Sequence, residues 1–379
     1  MKQRAIIVLA SVVLATCGQG GGSSDADTDD GSALDDLWAF YELMQENALG
    51  FEYADGSWGA TDQGDGRFYG TAFYAHVGYG EDRADYRLIA DEARDFNIVL
   101  LDTALADITF FEDNFEEVVM ATLGLIEYRY VTGDDSFMAQ VESLIDNVND
   151  VLSMYGDYLT PEEVDSWALQ LYGPTTVTGS LALLNIQYAY YLDTSRRAER
   201  IARAVEIVDT IDATVFDGMS YRFAPAEDRD HFYPNVMMML VLGRLNELTG
   251  EAAYLDRAEG LYEAVQPLKY SYRPGYHSPY SAELMGATTD DYSTLSVHNY
   301  FSLAMIQLHI LTGEQVYLDE AVEILEGFIH GYLYQPSEHI LVHHWMDGAI
   351  AQPTHVEYFC SGCNLQYLYV LWYLREHLL

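Results

Sequence analysis

The stretch DYSTLSVHNYFSLAMIQLHILTGEQVYLDEAVEILEGF, residues 291–328, decides the fold. Its apolar residues recur at steps of three and four over residues 295–311 and again over 316–328, which predicts two amphipathic helices. Between them lies Leu-Thr-Gly-Glu, residues 311–314, where Gly313 can take the left-handed backbone conformation that ends a helix. The stretch therefore predicts two helices joined by a tight turn, a helical hairpin.

The same hairpin signal recurs upstream. Leu-Thr-Gly-Glu is found again at 248–251, Val-Thr-Gly-Asp at 131–134 and a degenerate copy, Leu-Asp-Thr-Ser, at 192–195. The turns at positions 133, 193, 250 and 313 are 60, 57 and 63 residues apart. Such a period is typical of repeated helical hairpins, each of which buries its apolar stripe only by packing on its neighbours.

Periodicity predicts further helices on both sides of these turns. Besides the founding pair, we expect helices at residues 33–49, 67–77, 84–105, 113–130, 136–154, 175–191, 196–211, 233–248, 252–265 and 364–379. These make five hairpins and one unpaired helix at each end. The two end helices would form a sixth pair if the array closed on itself. We therefore predict an all-α fold, an (α/α)6 barrel or toroid of six helical hairpins, with the more apolar helix before each turn on the inside.

The connections that lead into the predicted inner helices are long and rich in aromatic residues, and they share one rim of the barrel. Long loops in a compact domain usually carry function, and aromatic rings there can stack on sugars. The candidate sugar-binding residues are Trp58, Tyr172, Tyr276 and Trp345 on these connections and His231, Tyr233, Asn235, His298, Asn299 and Tyr300 at the starts of two inner helices. The alternative is that these side chains are buried and satisfy one another.

The N-terminus carries an export signal. Lys2 and Arg4 precede an apolar run, residues 5–15, which is too short to span a bilayer. Residues 14–17, Leu-Ala-Thr-Cys, resemble a bacterial lipobox, which implies a lipid on Cys17. The alternative is a cleaved signal with an incidental cysteine. We expect three parts: a signal peptide at 1–17, a flexible acidic Gly/Ser/Asp linker at 18–32 and the toroid domain at 33–379.

The formal net charge is −42, with 2 lysines and 16 arginines. This charge argues against nucleic acid and anionic membrane surfaces as partners. We expect a monomer, held at the bacterial cell envelope only through the lipid on Cys17. An acidic surface of this kind is typical of adaptation to a salty environment.

With its repeats, the region 33–379 resembles the six-hairpin glycosidase superfamily. The resemblance rests on Leu-Thr-Gly-Glu-Gln-Val-Tyr-Leu-Asp-Glu-Ala at 311–321 and its copies. In addition, Phe-Glu-Asp-Asn at 111–114 is similar to the Asp-Asp-Asn segment of bacterial α-mannanases of this fold, whose two adjacent acids are catalytic. The resemblance implies catalytic roles for Glu112 and Asp113, although this chain has glutamate at the first position.

Glycoside hydrolysis needs two carboxyl groups, one protonated and one ionised. The positive end of a helix dipole would hold Asp113 ionised as a base, while the two phenylalanines before Glu112 would raise its pKa as an acid. Alternatively, Asp113 only caps the helix, with Glu116 completing a capping box. Asp290 and Asp291 on the same rim are the next candidates.

Cys360 and Cys363 form a Cys-x-x-Cys pair at the start of the last inner helix. In an exported protein such a pair usually forms a disulfide. The alternative is zinc, held by the two thiolates and by nearby histidines such as His343 and His344. Apart from that zinc, we expect no required cofactor.

Three functions remain open from the sequence. The first is a glycoside hydrolase that uses the carboxyl pair on an oligosaccharide or polysaccharide. The second is a polysaccharide lyase or sugar epimerase, in which Tyr or His moves a proton and Arg222 or Arg273 clamps a carboxylate. The third is a glycan-binding lipoprotein without catalysis.

Overall fold

A computed structural model describes residues 30–49, 66–107, 114–160, 169, 173–226, 231–277, 292–335, 340–341, 344–346, 349–350 and 360–378. Within these residues the chain forms twelve long helical elements, which alternate between an inner and an outer layer. None of the described helices has the length and hydropathy that a membrane span requires. The predicted signal peptide at 1–17, and with it Cys17, lies outside the described residues.

The inner layer contains six helices. They are α2 at 66–80 (Gly66–Gly70, Thr71–Ala75 and His76–Gly80), α4 (Phe115–Thr132), α6 (Pro174–Tyr191), α8 (Phe232–Thr249), α10 (Leu295–Thr312) and α12 (Ser361–Leu378). The outer layer contains the other six. They are α1 (Asp30–Ala48), α3 (Ala84–Ala106), α5 (Met138–Met154), α7 (Arg197–Val215), α9 (Ala252–Val265) and α11 (Gln315–Val322, continued by the wider turns of Glu323–Leu333).

The inner helices form a closed ring. Each packs on the next in chain order, and α12 packs back on α2, so no inner helix is left at an edge. The N-terminal helix α1 packs on α12 and against the end of α11, which supplies the sixth pair. The prediction of an (α/α)6 toroid closed by its two terminal helices is confirmed.

The two layers differ in burial as their sequences predict. In α6 every residue from Pro174 to Ala189 is buried, because this helix touches both neighbours, an outer helix and the barrel interior. In α5 the buried residues form one stripe from Val141 to Leu152. An all-round apolar helix belongs inside a protein and a one-stripe helix belongs on its surface.

Three of the repeated turns have the same geometry. Gly133, Gly250 and Gly313 have φ angles of 75°, 73° and 73°, and each donates its N–H to the carbonyl four residues earlier at 2.8 Å. This is the left-handed cap that glycine adopts without strain. Because these turns are short, they all lie at one end of the barrel, which we call the turn end.

The boundaries differ from the predicted ones in one place that matters for the site. Helix α4 begins at Phe115, and its N-cap residue is Asn114 rather than Asp113. Asp113, which the capping-box interpretation placed at the N-cap with Glu116 three residues later, lies outside the described residues, so that interpretation stays a prediction. Helix α1 also begins three residues before position 33, at Asp30.

The described residues also contain short strands, which the sequence did not predict. Strand β1 (Tyr292–Thr294) pairs antiparallel with β4 (His344–Met346), and β4 pairs with β5 (Ala349–Ile350). Strands β2 (Tyr334–Gln335) and β3 (Ile340–Leu341) form a second pair. The first sheet brings the connection before α12 next to the start of α10.

Candidate active site at the long-connection end

The first turns of the six inner helices meet at one end of the barrel. Each of the first five inner helices is followed by a short turn and an outer helix that returns to the start of the next inner helix, so the six inner helices all run in the same direction. Their N-termini therefore lie opposite the turn end, and we call that end the long-connection end. Helix N-termini present free backbone N–H groups and the positive ends of helix dipoles.

At this end, acidic first-turn residues occur on one of the six inner helices, and we call that position the acidic sector. Among the six inner helices, only α4 has acidic residues in its first turn, namely Glu116 and Glu117. Glu112 and Asp113 come directly before this helix but lie outside the described residues. Asp290 and Asp291, which come before β1 and α10, also lie outside them. In the ring order, α10 stands opposite α4.

A buried arginine is fixed beside this acidic sector. The Arg67 Nε donates to a Glu117 carboxylate oxygen at 3.3 Å, and its guanidinium lies 4.3 Å from the centroid of the Phe96 ring. The Asn97 side chain donates to the Arg67 carbonyl at 3.2 Å, which holds the backbone as well. Burial lowers the pKa of Arg67 and the Glu117 charge opposes that shift. The sector thus contains a rigidly placed cation next to its carboxylates.

Hydroxyl and aromatic side chains line the other inner helices at this level. The Tyr233 hydroxyl donates to Ser296 Oγ at 3.2 Å, which links α8 to α10. One turn further into the barrel, the Tyr300 ring packs edge-on against Tyr69, with centroids 5.7 Å apart. Tyr69 in turn lies 5.2 Å from Tyr369. We call Tyr69, Tyr233, Ser296 and Tyr300 the hydroxyl wall, because each presents a hydroxyl on a rigid helix.

His298 lies near this wall, but backbone groups use both of its ring nitrogens. Nδ1 donates to the Thr294 carbonyl at 2.7 Å, and Nε2 accepts from the Tyr276 N–H at 3.0 Å. Burial lowers the pKa of His298 to about 3. The imidazole is therefore neutral and fixed in one tautomer, an arrangement that suits a structural role.

The predicted asparagines connect segments of the backbone. Asn235 accepts from the Tyr221 N–H at 2.7 Å and donates to the Tyr221 and His231 carbonyls. Asn299 donates to the Cys363 carbonyl at 3.0 Å and to Gln366 at 3.2 Å. These contacts fix the connections that border the site. His231 itself is buried beside Phe223, at a centroid distance of 5.1 Å.

The four aromatic candidates on long connections are placed unequally. The Tyr276 ring stacks on Phe232 at 4.6 Å, and its hydroxyl donates to Glu320 on outer helix α11 at 2.7 Å. Tyr276 is thus directed toward the outer layer. Trp345 contributes its backbone to β4, opposite Ser293, and Trp58 and Tyr172 lie outside the described residues.

Both arginines considered as carboxylate clamps are engaged elsewhere. Arg222 donates to the carbonyls of Thr214, Val215 and Pro225. The Arg273 guanidinium lies 3.6 Å from the centroid of the Tyr270 ring and 5.0 Å from that of Phe328. Releasing either one would break these contacts.

Cys360 and Cys363 form a disulfide at the start of α12. The Cys363 N–H also donates to the Cys360 sulfur at 2.9 Å. The described residues contain no group of three His, Cys, Asp or Glu side chains that could hold a metal ion. His343 lies outside the described residues, and only the backbone of His344 is described.

Sequence reasoning missed a buried polar layer deeper in the barrel. Glu127 accepts from the Tyr369 hydroxyl at 3.0 Å and lies 3.2 Å from His76 Nε2, while Arg244 and Gln307 both donate to Glu247. A signal was available, because each repeat has a large polar residue six positions before its turn at 133, 193, 250 or 313. These residues are Glu127, Gln187, Arg244 and Gln307.

Comparison with known proteins places the fold. No family model matches the chain, and no curated protein matches it. Solved structures, in contrast, do match this chain. A GH76 α-mannanase of Bacteroides thetaiotaomicron has a TM-score of 0.59 at 11% identity, over 91% of this chain and 98% of its own. The cellobiose 2-epimerase of Spirochaeta thermophila has a TM-score of 0.65 at 12% identity, over 93% and 99%.

A third structure, an unsaturated glucuronyl hydrolase specific for heparin, has a TM-score of 0.58 at 14% identity, over 91% of this chain and 97% of its own. These neighbours are α-mannanases and related proteins of the six-hairpin glycosidase fold. At such low identity they establish the (α/α)6 toroid, and the reaction has to be argued from the site itself.

Proposed function

We propose that this protein is a carbohydrate-active enzyme, most specifically a glycoside hydrolase that cleaves a neutral or partly charged oligosaccharide or polysaccharide. The observation that carries the proposal is the acidic sector: α4 is the one inner helix, among the described residues, with acids in its first turn. Glycoside hydrolysis requires two carboxyl groups that flank the scissile bond, one as acid and one as base or nucleophile.

In this proposal Glu112 and Asp113 form the catalytic pair. Asn114 is the N-cap of α4, so Asp113 comes directly before the cap of this helix. The dipole of α4 favours the ionised form of a carboxylate just before the helix, which suits a base. Glu112 would serve as the acid, with Asp290 and Asp291 as the second choice for either role.

The hydroxyl wall would bind the sugar. Its tyrosine rings offer apolar faces for the C–H surface of a pyranose, and its hydroxyl groups can exchange hydrogen bonds with sugar hydroxyls. Trp58, Tyr172 and Trp345 on the long connections would add stacking surfaces above the wall. The hydroxyl wall and the catalytic carboxyl groups would then surround one opening.

The enzyme would work outside the cytoplasm. The Lys/Arg-led apolar run and the Cys17 lipobox support export and lipid anchoring at the bacterial cell envelope. The net charge of −42 supports a partner that is not an anionic polymer. We propose a monomer that needs no cofactor for hydrolysis.

The epimerase or lyase alternative has less support from the described residues. Proton abstraction beside a carboxylate needs a basic side chain and a cationic clamp. His298 is held neutral between two backbone groups, and Arg222 and Arg273 have other contacts. A purely glycan-binding protein would not need the acidic sector.

A glycan panel with product analysis separates these reactions. Purified protein is incubated with neutral and uronate-containing oligosaccharides, with and without a metal chelator, and the products are identified by mass and by NMR. Hydrolysis adds one water and creates a new reducing end, whereas epimerisation preserves mass and a lyase creates an unsaturated uronate. We expect chelator-insensitive hydrolysis; isomerised or unsaturated products would reject it.

A further inference from the structure

The barrel interior contains a small cavity below the hydroxyl wall. Its volume is about 30 Å³, which is room for about two water molecules. Leu183, Leu240 and Leu303 form one part of its lining, and Gln187, Arg244 and Gln307 form another. Leu240 follows Tyr233 by seven residues of α8, so the cavity lies about 10 Å deeper along the helix. We call it the floor cavity.

Two hydrogen-bond acceptors at this cavity have no donor among the residues that the structure describes. They are the side-chain oxygens of Gln187 and Gln307, and the two residues are 6% and 2% exposed. The orientation of Gln307 is fixed, because its Nε2 donates to Glu247 at 3.0 Å. A flipped amide would turn its oxygen toward that carboxylate. Buried hydrogen-bond acceptors normally have a donor, so we expect the occupant of this cavity to carry a hydrogen-bond donor.

The charge around the cavity favours a neutral occupant. The Arg244 guanidinium donates to Glu247 at 2.7 Å and to the Tyr373 hydroxyl at 3.0 Å, so its charge is already compensated. A carboxylate placed in the cavity would face the two amide oxygens and lose its hydration. A hydroxyl group can donate to an amide oxygen, and the carbon that carries it can contact the leucines.

One residue belongs to both the floor cavity and the hydroxyl wall. Tyr69 lines the floor cavity and also packs against Tyr300, at a centroid distance of 5.7 Å. Tyr300 precedes Leu303 by three residues of α10, so a sugar ring held beside Tyr69 and Tyr300 would lie about 4.5 Å above the leucine level of the cavity. The cavity is too small for a whole pyranose ring but large enough for a one-carbon arm.

We propose that the floor cavity receives the exocyclic hydroxymethyl group of a hexose. The hydroxyl donates to the side-chain oxygen of Gln187 or Gln307, and the leucines contact the methylene. This inference rests on the proposed function for its substrate class and names the part of the sugar that is selected. A pentose lacks the arm, and a uronate replaces its donor with a carboxylate.

Paired sugars test the proposal by calorimetric titration of the full chain. D-Mannose is compared with D-lyxose and D-glucose with D-xylose, because each pair differs only in the hydroxymethyl arm, and D-glucuronate is added as the charged case. We expect the hexose of at least one pair to bind about 10-fold or more tightly than its pentose. D-Glucuronate should bind no better than the pentoses.

Substitutions then assign the preference to the two amides. Gln187→Met keeps the length of the side chain and removes the acceptor, and Gln307→Met does the same on α10. We expect the hexose preference to fall by about 10-fold in either variant. Gln315→Met is the matched control, because this exposed glutamine lies on outer helix α11. Thermal unfolding verifies each fold. If a methionine variant misfolds, Gln→Asn at the same position replaces it, because it withdraws the amide oxygen from the cavity by one carbon.

The outcomes are distinct from those that test hydrolysis. Loss of the hexose preference in both variants, with the control unchanged, supports the floor cavity as the arm site even in a protein with no hydrolytic activity. Equal binding of hexoses and pentoses, no binding of either, or a preference that survives both substitutions would overturn it. An active hydrolase without a hexose preference would reject this inference alone.

Discussion

The Tyr369 hydroxyl on α12 donates to the Glu127 carboxylate on α4 at 3.0 Å, joining residues 242 positions apart in the chain. Helix α2, which lies between these two in the ring, supplies the third member, because His76 Nε2 is 3.2 Å from Glu127. Burial and the Glu127 charge together raise the pKa of Tyr369, which therefore stays a hydrogen-bond donor. The contact ties the last inner helix to the second across the closure of the ring.

Tyr369→Phe tests the value of this contact. The substitution removes a donor from a fully buried carboxylate, which should cost about 1–3 kcal/mol in the free energy of unfolding. Urea titration measures the loss. Tyr367→Phe is the control, because its buried hydroxyl donates to a neutral carbonyl, that of Leu325, and should cost about 1 kcal/mol. Equal losses in the two variants would deny Glu127 any special role in closure.

Ring closure also predicts that α1 is essential to the fold. This helix buries Leu37, Phe40, Tyr41 and Met44, and burial of such side chains contributes about 1.5–3 kcal/mol each. Deleting residues 30–48 should therefore lower the thermal midpoint by roughly 10 °C or more. Deletion of residues 1–29 alone, the matched control, should leave the midpoint nearly unchanged. A stable protein without α1 would refute closure by the terminal pair.

His298 should make stability depend on pH. Burial lowers its pKa to about 3 from an ordinary value of 6.5, so between these values the unfolded chain binds a proton that the folded protein does not. The free energy of unfolding should therefore fall as pH drops from about 6.5 toward 3, by up to roughly 4 kcal/mol. His298→Asn removes this titration.

The measurement for His298 is urea unfolding of both proteins at pH 4.5 and 7.5. We expect the wild type to lose more stability at pH 4.5 than His298→Asn does, because other groups titrate alike in both proteins. An identical pH dependence would mean that His298 is solvated or charged in the folded state, and it would then become a candidate for proton transfer.

Much of the fold was predictable because the sequence pattern of the helical hairpin recurs several times along the chain. Three copies of the glycine turn fix where inner helices end, and the all-round apolar pattern separates inner helices such as α6 from one-stripe helices such as α5. Ring closure followed from two helices that had no partner in sequence. The short strands were missed because segments of two or three residues carry no periodic signal, and the pairing of β1 with β4 joins residues about 50 positions apart.

The site was less predictable, because a polar residue at a helix start has the same sequence signature whether it binds ligand or backbone. We predicted that Asn235 and His298 bind sugar. Nothing in the sequence around them indicates that they accept hydrogen bonds from the backbone N–H groups of Tyr221 and Tyr276. Tertiary contacts decided both cases. At the start of α4 the sequence has two adjacent residues of types that favour the N-cap, Asp113 and Asn114, and the helix begins after Asn114.

The most direct test of the central claim is the turnover of Asp113→Asn and Glu112→Gln on the best substrate from the glycan panel. Asparagine and glutamine keep the shape of the two acids, and asparagine caps a helix about as well as aspartate does, so neither substitution should change the thermal midpoint appreciably. Asp102→Asn, on the exposed face of α3, is the matched control. We predict that kcat falls by about 10²–10⁴ in Asp113→Asn and in Glu112→Gln, with the control at wild-type activity. Wild-type turnover in both site variants would contradict a catalytic pair in the α4 sector.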